Sequence, residues 1–414
     1  LKLHPGEEIR TPRILLLFWQ GDRVRGHNLW RRLVLAHYTP RPNGQLLVPP
    51  VCDAGWGERA AELQIDKIRW LVDNEIPAEV FWIDAGWYGD RTYNPEADTY
   101  GLGWAQQVGN LYPNRSIYPD GLGPIGQALE DAGLGFLLWV EPERAFEGTQ
   151  MTRQRPEWLL GPAWCEPFKG NVYLYNLGIP EARQAITNEL LDLFRESGVT
   201  CYRQDFNFRT VPEHWTAAEP TDRVGMTEIR YIEGLYQFMD ALLEGIPGLV
   251  IDNCAGGGQR LDLEMMMRSV PLWRSDRQCW PFDPVAMQTQ TQGLAPWIPL
   301  SGSVFDQPDR YAARSALSSG FVTHWSTQVI EEGLDLDLDE IRDMMAELIA
   351  MRKYFCGDYY PLVSYSLDQD SWAAWQYDLP EQGKGMVVAF RRRTSPFARM
   401  EARLRGCILY TSDA

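Results

Sequence analysis

The sequence lacks several signatures that would place it in common protein classes. None of its seven cysteines forms a CxxC pair, and no run of eighteen apolar residues occurs in its 414 residues. We therefore predict no zinc site, no disulfide framework and no membrane span, and the scattered cysteines favour a reduced, cytoplasmic protein. The glycines at 256–258 lack the lysine of a phosphate-binding loop, so no nucleotide cofactor is expected. No histidine cluster has the spacing of metal ligands, so no metal is expected either.

Basic residues are scarce relative to acidic ones. The chain has 39 Lys and Arg against 56 Asp and Glu, a formal net charge of −17. An acidic chain without basic clusters is a poor partner for phosphate backbones, which disfavours nucleic acid as a partner. Tryptophan, by contrast, is abundant at 17 residues, and its flat ring can pack against the apolar face of a sugar. A neutral carbohydrate fits this composition better.

The order of the hydrophobic segments predicts a (β/α)8 barrel of the TIM type between residues 46 and 355. Eight strands alternating with helices are typical of this fold. A doubly wound sheet is the competing architecture, but its usual glycine-rich loop after the first strand is absent. Strands are predicted at 51–55, 79–84, 134–140, 199–205, 248–253, 270–275, 297–301 and 319–324, and helices at 59–74, 122–132, 181–197 and 226–245.

The segments on either side of the barrel predict two incomplete β domains. We interpret residues 1–45 as the end of an N-terminal β domain with a linker helix, and residues 356–414 as the start of a C-terminal β-sandwich. The predicted elements are a strand at 14–19, helices at 25–38 and 336–355, and strands at 371–376, 386–390 and 406–410. The first residue is Leu1 and the last lies near a predicted strand, so we expect a longer parent protein.

Two segments place an arginine two residues before an aspartate, at the end of an apolar run. The pairs are Arg203 with Asp205 and Arg274 with Asp276. Residues two apart on a strand project to the same face, and a neighbouring guanidinium keeps a carboxylate ionised. Two such carboxylates without a metal predict glycoside hydrolysis, in which one attacks the anomeric carbon and the other protonates the leaving oxygen. The alternative is a set of structural ion pairs.

Other predicted strand ends carry acidic and aromatic residues as well. Active sites of (β/α)8 barrels lie at the carboxyl ends of the strands. A convergence of such residues from five strands therefore favours an active site over scattered ion pairs. The residues concerned are Asp84 and Trp87 after the second strand, Trp139 and Glu141 on the third, Arg203 and Asp205 on the fourth, Asp252 and Cys254 on the fifth, and Trp273 on the sixth.

In these motifs the sequence resembles glycoside hydrolase family 36, the melibiase-type α-galactosidases related to raffinose synthases. The matching segments are 84–87 (DAGW), 138–143 (LWVEPE), 203–207 (RQDFN), 254–262 (CAGGGQRLD) and 273–276 (WRSD). The resemblance implies a retaining exo-α-galactosidase with a (β/α)8 barrel after an N-terminal β-supersandwich. It implies an oligosaccharide or glycoconjugate substrate and no cofactor, and it allows a homo-oligomer.

The resemblance also assigns roles to individual residues. Asp205 would be the nucleophile and Asp276 the general acid and base. Asp84 would hold the axial hydroxyl of galactose, Trp139 would form a wall of the sugar pocket, and Arg203 takes the place of a substrate-binding lysine. The other substrate-binding candidates are Trp87, Asn207, Asp252, Cys254, Gly257, Trp273 and Arg274.

Three departures from the family pattern bear on the identity of the sugar. Ala85 replaces a second aspartate, and residues 203–204 (RQ) replace Lys-Trp. Arg274 and Arg277 bracket Asp276, where the family has small or acidic residues. Arg274 is expected to lower the pKa of Asp276, unless it faces the substrate or Asp252, or unless ionised Asp205 keeps Asp276 protonated. The alternatives to an α-galactosidase are therefore an α-N-acetylgalactosaminidase or galactosaminidase, an α-galactosyl transglycosylase, and a carbohydrate-binding protein without turnover.

Overall fold

The computed structural model describes residues 1–94, 103–208, 211–278 and 282–405. The parallel strands are short and buried along nearly their whole length, as in the five residues of the first. The strands in these residues are β1 Val51–Gly55, β2 Val80–Ile83, β3 Gly135–Val140, β4 Arg144–Phe146, β5 Leu159–Cys165, β6 Gly170–Tyr175, β7 Cys201–Gln204, β8 Val250–Asn253, β9 Gly302–Val304, β10 Gly320–Thr323, β11 Asp358–Pro361, β12 Trp372–Leu379 and β13 Lys384–Arg391.

Helices follow most of the parallel strands. They are α1 Arg23–His37, α2 Ala61–Asp73, α3 Gly123–Ala132, α4 Gln150–Gln154, α5 Pro180–Ser197, α6 Val211–Ala217, α7 Met226–Gly245, α8 Leu263–Met266, α9 Pro284–Leu294, α10 Arg310–Ser315, α11 Trp325–Ile330 and α12 Leu338–Met351. The predicted helices correspond to α1, α2, α3, α5, α7 and α12 and are confirmed within a few residues. No helix of the described residues is long and apolar enough to cross a membrane.

Seven parallel strands form one sheet in the order β8-β7-β3-β2-β1-β10-β9. The two outer strands, β8 and β9, are joined through residues 270–272. Asp252 pairs with Val270 in a parallel bridge, Val270 N donates to Ile251 O (2.9 Å), and Gly302 N donates to Pro271 O (2.7 Å). These residues occupy the sixth position of the ring, so the sheet closes and the (β/α)8 barrel is confirmed.

The sixth position is irregular, and the strand predicted at 270–275 does not form as a regular strand. Pro271 has no N–H to donate to a ladder, and the N–H of Leu272 donates to the Asp252 carboxylate (2.7 Å). The strand predicted at 297–301 is displaced toward the carboxyl end, where β9 begins at Gly302. In both cases the pairing partner, rather than the local apolar run, decides which residues form the strand.

A small antiparallel sheet, which the sequence reading missed, projects from the carboxyl end of β3. Its order is β4-β6-β5, and it lies between β3 and α5 in the chain. The turn between β5 and β6 carries Phe168, whose ring contacts Trp104 with a centroid separation of 6.0 Å. This small sheet therefore adds Phe168 to the aromatic residues around the carboxyl end of the barrel.

The flanking segments agree with the sequence predictions only in part. The strand predicted at 14–19 is wrong, because residues 1–22 form no helix or strand. Ile14, Leu16 and Phe18 are 84%, 73% and 88% exposed, and a strand requires a pairing partner that the described residues do not provide. At the other end, β12 and β13 confirm the strands predicted at 371–376 and 386–390, and β12 also pairs antiparallel with β11, a strand that was not predicted. The strand predicted at 406–410 lies outside the described residues.

We predict that Gly302→Ala destabilises the barrel where β9 packs against the sixth position. A Cβ at Gly302 would lie 2.1 Å from the carbonyl oxygen of Leu272, so two barrel segments would have to separate. Overpacking of this kind costs about 1–3 kcal/mol of unfolding free energy, measured by chemical denaturation.

Gly293→Ala is the matched control for this substitution. Gly293 lies in α9, and the nearest atom to a Cβ there is a Tyr365 ring carbon at 3.9 Å. Because alanine favours helix, this variant is expected to be neutral or stabilised by up to about 1 kcal/mol. Equal effects of the two substitutions would contradict the close approach at Gly302.

Candidate active site

The register of three neighbouring strands brings the central residues of the site side by side. Trp139 on β3 pairs with Arg203 on β7, and Arg203 pairs with Asp252 on β8. Asp205 follows directly after β7, and its N–H donates to Val140 O (3.0 Å). The carboxyl ends of β3, β7 and β8 therefore converge on one place, as the barrel fold requires.

Arg203 is a buried cation at the centre of this cluster. Its guanidinium donates to the Asp252 carboxylate and lies 3.9 Å from that of Asp84. It lies over the ring of Trp82 at 4.4 Å and that of Trp273 at 5.6 Å. Burial alone would lower the pKa of Arg203, but the surrounding thiol and carboxylates raise it above its ordinary value. The guanidinium therefore stays charged.

Asp205 is held in its ionised form by several donors. Its Oδ2 accepts from Trp139 Nε1 (3.2 Å) and Asn207 Nδ2 (2.9 Å). Its Oδ1 accepts from the N–H groups of Phe206 (2.7 Å) and Gly256 (3.0 Å). Burial would raise the pKa of Asp205, yet nearby positive charge and these hydrogen bonds outweigh it and lower the pKa below its usual range. An ionised, oriented carboxylate is suited to nucleophilic attack.

Asp276 lies in a different environment, in the 3₁₀ turn Asp276–Gln278 that follows the sixth barrel position. Its Oδ1 accepts from Trp273 Nε1 (3.0 Å). Although the residue reaches solvent, desolvation by the surrounding protein and the negative charge of Asp205 raise its pKa. A carboxyl group with a raised pKa is suited to donate a proton.

Two glycines connect the surroundings of the two aspartates. Gly256 donates its N–H to Asp205, and the next residue, Gly257, packs against Asp276. A Cβ on Gly257 would lie 3.0 Å from Ser275 Cα and 3.1 Å from the nitrogen of Asp276, and the residue has a φ of +89°. Glycine is therefore required at position 257 by both space and backbone conformation.

Asp84 is a third carboxylate of the cluster and remains partly exposed. Its Oδ2 accepts from Trp82 Nε1 (2.9 Å) and its Oδ1 from the N–H of Ala85 (2.8 Å). Burial raises the pKa of Asp84, while Arg203 opposes the shift. With 26% of its side chain exposed, Asp84 can still accept hydrogen bonds from a ligand.

Three predicted site residues lie beneath the exposed ones. Trp87 is fully buried and donates from Nε1 to Trp139 O (2.8 Å). Asp252 is also fully buried, and its carboxylate accepts from Arg203 and from Leu272 N. Cys254 is 1% exposed, and its thiol lies beside Asp205 and contributes to the lowered pKa of that carboxyl. These side chains orient their neighbours and do not reach the surface of the site.

Arg274 differs from the sequence expectation and is corrected here. Its Nε donates to Ser301 Oγ (3.0 Å) and its Nη1 to Thr291 Oγ1 (2.8 Å), so it faces neither Asp252 nor the open side of the site. Burial lowers the pKa of Arg274 to about 10. The pKa of Asp276 is raised and not lowered, which removes the conflict that the arginine posed for a proton donor.

The two glutamates of the LWVEPE segment carry contacts to which the sequence assigned no role. Glu141 accepts from the N–H of Asn207 (2.6 Å) and pairs with Arg144. Glu143 accepts from Gln204 Nε2 (2.8 Å) and pairs with Arg260 (2.6 Å). Both acids follow a buried strand. Because a buried charge needs a partner, their position in the sequence could have predicted that each glutamate forms an ion pair.

Comparison with known proteins agrees with this geometry. The family model described as Melibiase matches residues 24–361. The chain belongs to the Melibiase family. The match covers the barrel, with α1 before it and β11 after it, and includes each of the carboxylates described above.

Relatives of this Melibiase chain are named α-galactosidases. Alpha-galactosidase 1 of Pediococcus pentosaceus is 24% identical over 94% of this chain and 52% of its own length. The probable alpha-galactosidase C of Aspergillus flavus is 30% identical over 66% of this chain and 36% of its own length. The chain thus spans about half the length, or less, of the curated relatives it matches.

Solved structures share the fold. The crystal structure of the GH36 α-galactosidase AgaA from Geobacillus stearothermophilus superposes with a TM-score of 0.75, covering 93% of this chain and 52% of that chain at 21% identity. The galactosidase domain of the α-galactosidase-sucrose kinase AgaSK gives a TM-score of 0.73 at 19% identity. At these identities the comparison establishes the fold.

Within the Melibiase family, this chain departs at the position of Ala85. The residue is 1% exposed, its N–H donates to Asp84, and its carbonyl accepts from Gly57 N (2.9 Å). The backbone at Ala85 thus keeps Asp84 in place, while its buried methyl group offers no carboxylate where the resemblance predicts a second aspartate.

We predict that Asp205→Asn lowers the pKa of Asp276. The substitution keeps the shape of the side chain but removes the negative charge that helps keep Asp276 protonated. Carbon-13 NMR titration of labelled aspartate carboxyl groups measures the change. In Asp66→Asn, which alters an exposed pair with Arg69 on α2, the titration of Asp276 is expected to stay in place. An unchanged pKa of Asp276 in Asp205→Asn would contradict the electrostatic coupling between the two aspartates.

Proposed function

We propose that this chain forms the catalytic part of a retaining α-galactosidase-type glycoside hydrolase. It would release terminal α-galactose, or a modified galactose, from an oligosaccharide or glycoconjugate without a cofactor. The observation that carries the proposal is the pair Asp205 and Asp276, whose pKa values are shifted in opposite directions by their surroundings. Two carboxyl groups with separated pKa values are what acid-assisted double displacement needs.

The relatives support the same substrate class. AgaA structures are described in complex with stachyose and with raffinose. Both share the fold of this chain, with TM-scores of 0.76 and 0.70. An oligosaccharide with a terminal α-galactosyl unit is therefore our proposed substrate.

In the proposed mechanism, Asp205 attacks the anomeric carbon while Asp276 gives its proton to the departing glycosidic oxygen. A covalent glycosyl-enzyme forms with inverted configuration, and the aglycone leaves as a neutral alcohol. Asp276, now ionised, takes a proton from water, whose oxygen attacks the anomeric carbon and releases Asp205. Two inversions return the α-anomer, and both aspartates return to their starting protonation states.

The hydrogen bonds around Asp205 suit both steps of this reaction. Trp139, Asn207 and the N–H of Gly256 hold the carboxylate in one orientation before attack. The same donors can stabilise the carboxylate again as it departs from the anomeric carbon. Such preorganised donors require no rearrangement at the moment of reaction.

We assign the other predicted residues to three groups, which would contact the sugar, border it or support the residues around it. Asp84, Trp273 and Asn207 keep exposed surface and would contact the sugar. Trp139 and Arg203 would border it, with Gly257 providing close backbone approach. Trp87, Asp252 and Cys254 would act by holding Trp139, Arg203 and Asp205 in place.

The loss of the second aspartate at Ala85 favours one variation of this proposal, a sugar other than unmodified galactose. A panel of p-nitrophenyl α-glycosides of galactose, N-acetylgalactosamine and galactosamine tests it directly. Preferential release from an amino sugar would identify an α-N-acetylgalactosaminidase or galactosaminidase. Faster transfer to an added sugar than to water would identify a transglycosylase, and binding without release from any glycoside would contradict the enzyme proposal.

Asp205→Asn is expected to abolish turnover. The amide is a poor nucleophile, so kcat should fall by about 10⁴-fold or more, as when other enzymes lose a nucleophile. Steady-state assays with p-nitrophenyl α-galactoside measure this loss. For the unaltered chain, proton NMR of the first product identifies its anomer. A first product with the β-configuration would contradict the retaining mechanism.

Asp276→Asn is expected to discriminate between leaving groups. Loss of a general acid costs about 10²–10⁴-fold for a sugar alcohol that must be protonated as it leaves. An activated p-nitrophenolate needs little protonation, so its first step should be much less affected. Parallel assays with raffinose and with p-nitrophenyl α-galactoside, read as kcat/KM, separate the two cases. Equal losses on both substrates would count against the acid role of Asp276.

We also propose a cytoplasmic location. The cysteines Cys52, Cys165, Cys201, Cys254 and Cys356 are free thiols in the structure. Disulfides are rare in reducing compartments, which is consistent with this pattern. Cell fractionation of the native source with antibody detection tests the location.

A further inference from the structure

Glu141 is linked to the catalytic carboxylate through a single intervening side chain. It is 1% exposed and accepts two hydrogen bonds from Asn207, from the backbone N–H (2.6 Å) and from Nδ2 (3.3 Å). The same Nδ2 donates to Asp205 Oδ2 (2.9 Å). One amide nitrogen thus spans two carboxylates.

Arg144 fixes Glu141 in turn. Its Nε and Nη2 donate to the two oxygens of Glu141 at 2.7 and 2.6 Å, and both side chains are fully buried. The guanidinium also lies over the ring of Phe168 at 4.5 Å. A two-point, desolvated arginine-carboxylate pair is geometrically rigid, so Glu141 has little freedom to turn.

The chemistry of the amide makes this arrangement directional. An asparagine side chain has a donating and an accepting end, whereas an ionised carboxylate only accepts. With Glu141 in place, the NH₂ end of Asn207 is drawn toward both carboxylates, with its oxygen directed away. In the flipped orientation, the oxygen of Asn207 would face Asp205, replacing an attraction with a repulsion.

We propose that Glu141 is a positioning residue that acts through Asn207 to keep a hydrogen-bond donor on the nucleophile. The inference rests on the proposed function, in which Asp205 attacks the anomeric carbon. Glu141 itself does not contact the reacting atoms. Its effect is on the orientation of Asn207, and through that on the geometry and charge of Asp205.

Glu141→Gln is the first test. Glutamine can present either end of its amide to Asn207, so Asp205 alone then keeps the NH₂ group of Asn207 in place. We expect kcat to fall by about a hundredfold, the size of effect produced by a small misplacement of a reacting group. Glu141→Gln with Arg144→Met removes the ion pair as a unit, so the net charge beside Asp205 is unchanged. Because a donor that lowers the pKa of Asp205 is then held less firmly, the acid limb of the pH profile of kcat/KM should move to higher pH in this double variant.

Glu143→Gln is the matched control. Glu143 lies at the same strand end, is equally buried and forms a two-point pair with Arg260, but its other bonds go to Gln204 and Tyr231. Glu143→Gln with Arg260→Met, which removes that ion pair as a unit, should lower the melting temperature and leave the acid limb unmoved. If Glu141→Gln alone does not fold, kcat is measured in Glu141→Gln with Arg144→Met.

A double-mutant cycle with Asn207→Ser decides the route. If Glu141 acts through Asn207, Glu141→Gln should cost at most a fewfold more kcat in the Asn207→Ser background. Independent, multiplicative losses, or an unmoved acid limb in Glu141→Gln with Arg144→Met, would overturn the inference. The proposed function is judged separately: hydrolysis by the unaltered chain that disappears in Asp205→Asn supports it whatever the cycle shows.

Discussion

The buried guanidinium of Arg203 is the interaction on which the site depends. Asp252, Asp84 and Asp205 surround it, and carboxylates of this kind could not be buried together without a cation. The rings of Trp82 and Trp273 pack against it and help to shield it from water. The cation therefore decides which acids can ionise. Asp205, which also has several hydrogen-bond donors, does so readily, whereas burial raises the pKa of Asp84 and Asp252.

The same cluster connects the chemistry to the closure of the barrel. One oxygen of Asp252 accepts from Arg203, and the other accepts from the backbone N–H of Leu272 in the sixth position of the ring. The turn that carries Asp276 follows a few residues later. A single buried carboxylate thus ties the cation beside Asp205 to the segment that presents Asp276. The irregular sixth position reflects this hydrogen bond to Asp252 as much as Pro271.

The local patterns predicted much of the site. Strand ends carrying Asp84, Trp139, Asp205 and Asp276 could be identified because parallel strands of a barrel end on one face. Arg274 could not be placed, because spacing indicates a neighbour only on a regular strand, and its own segment is irregular. The contact between Glu141 and Asn207 joins two strands 66 residues apart, and it depends on which end of an amide is presented.

The sequence by itself determined the class of fold, most helices and strands, and the family, since these follow from apolar periodicity and from short ordered motifs. It also placed the acidic residues at the ends of the barrel strands. The tertiary structure decided which of those acids has a lowered pKa, which has a raised pKa and which is fully buried. Those properties depend on desolvation and on charges brought in by other strands. The chain neighbours of Asp205, which include Arg203 and Asn207, contain only part of that information.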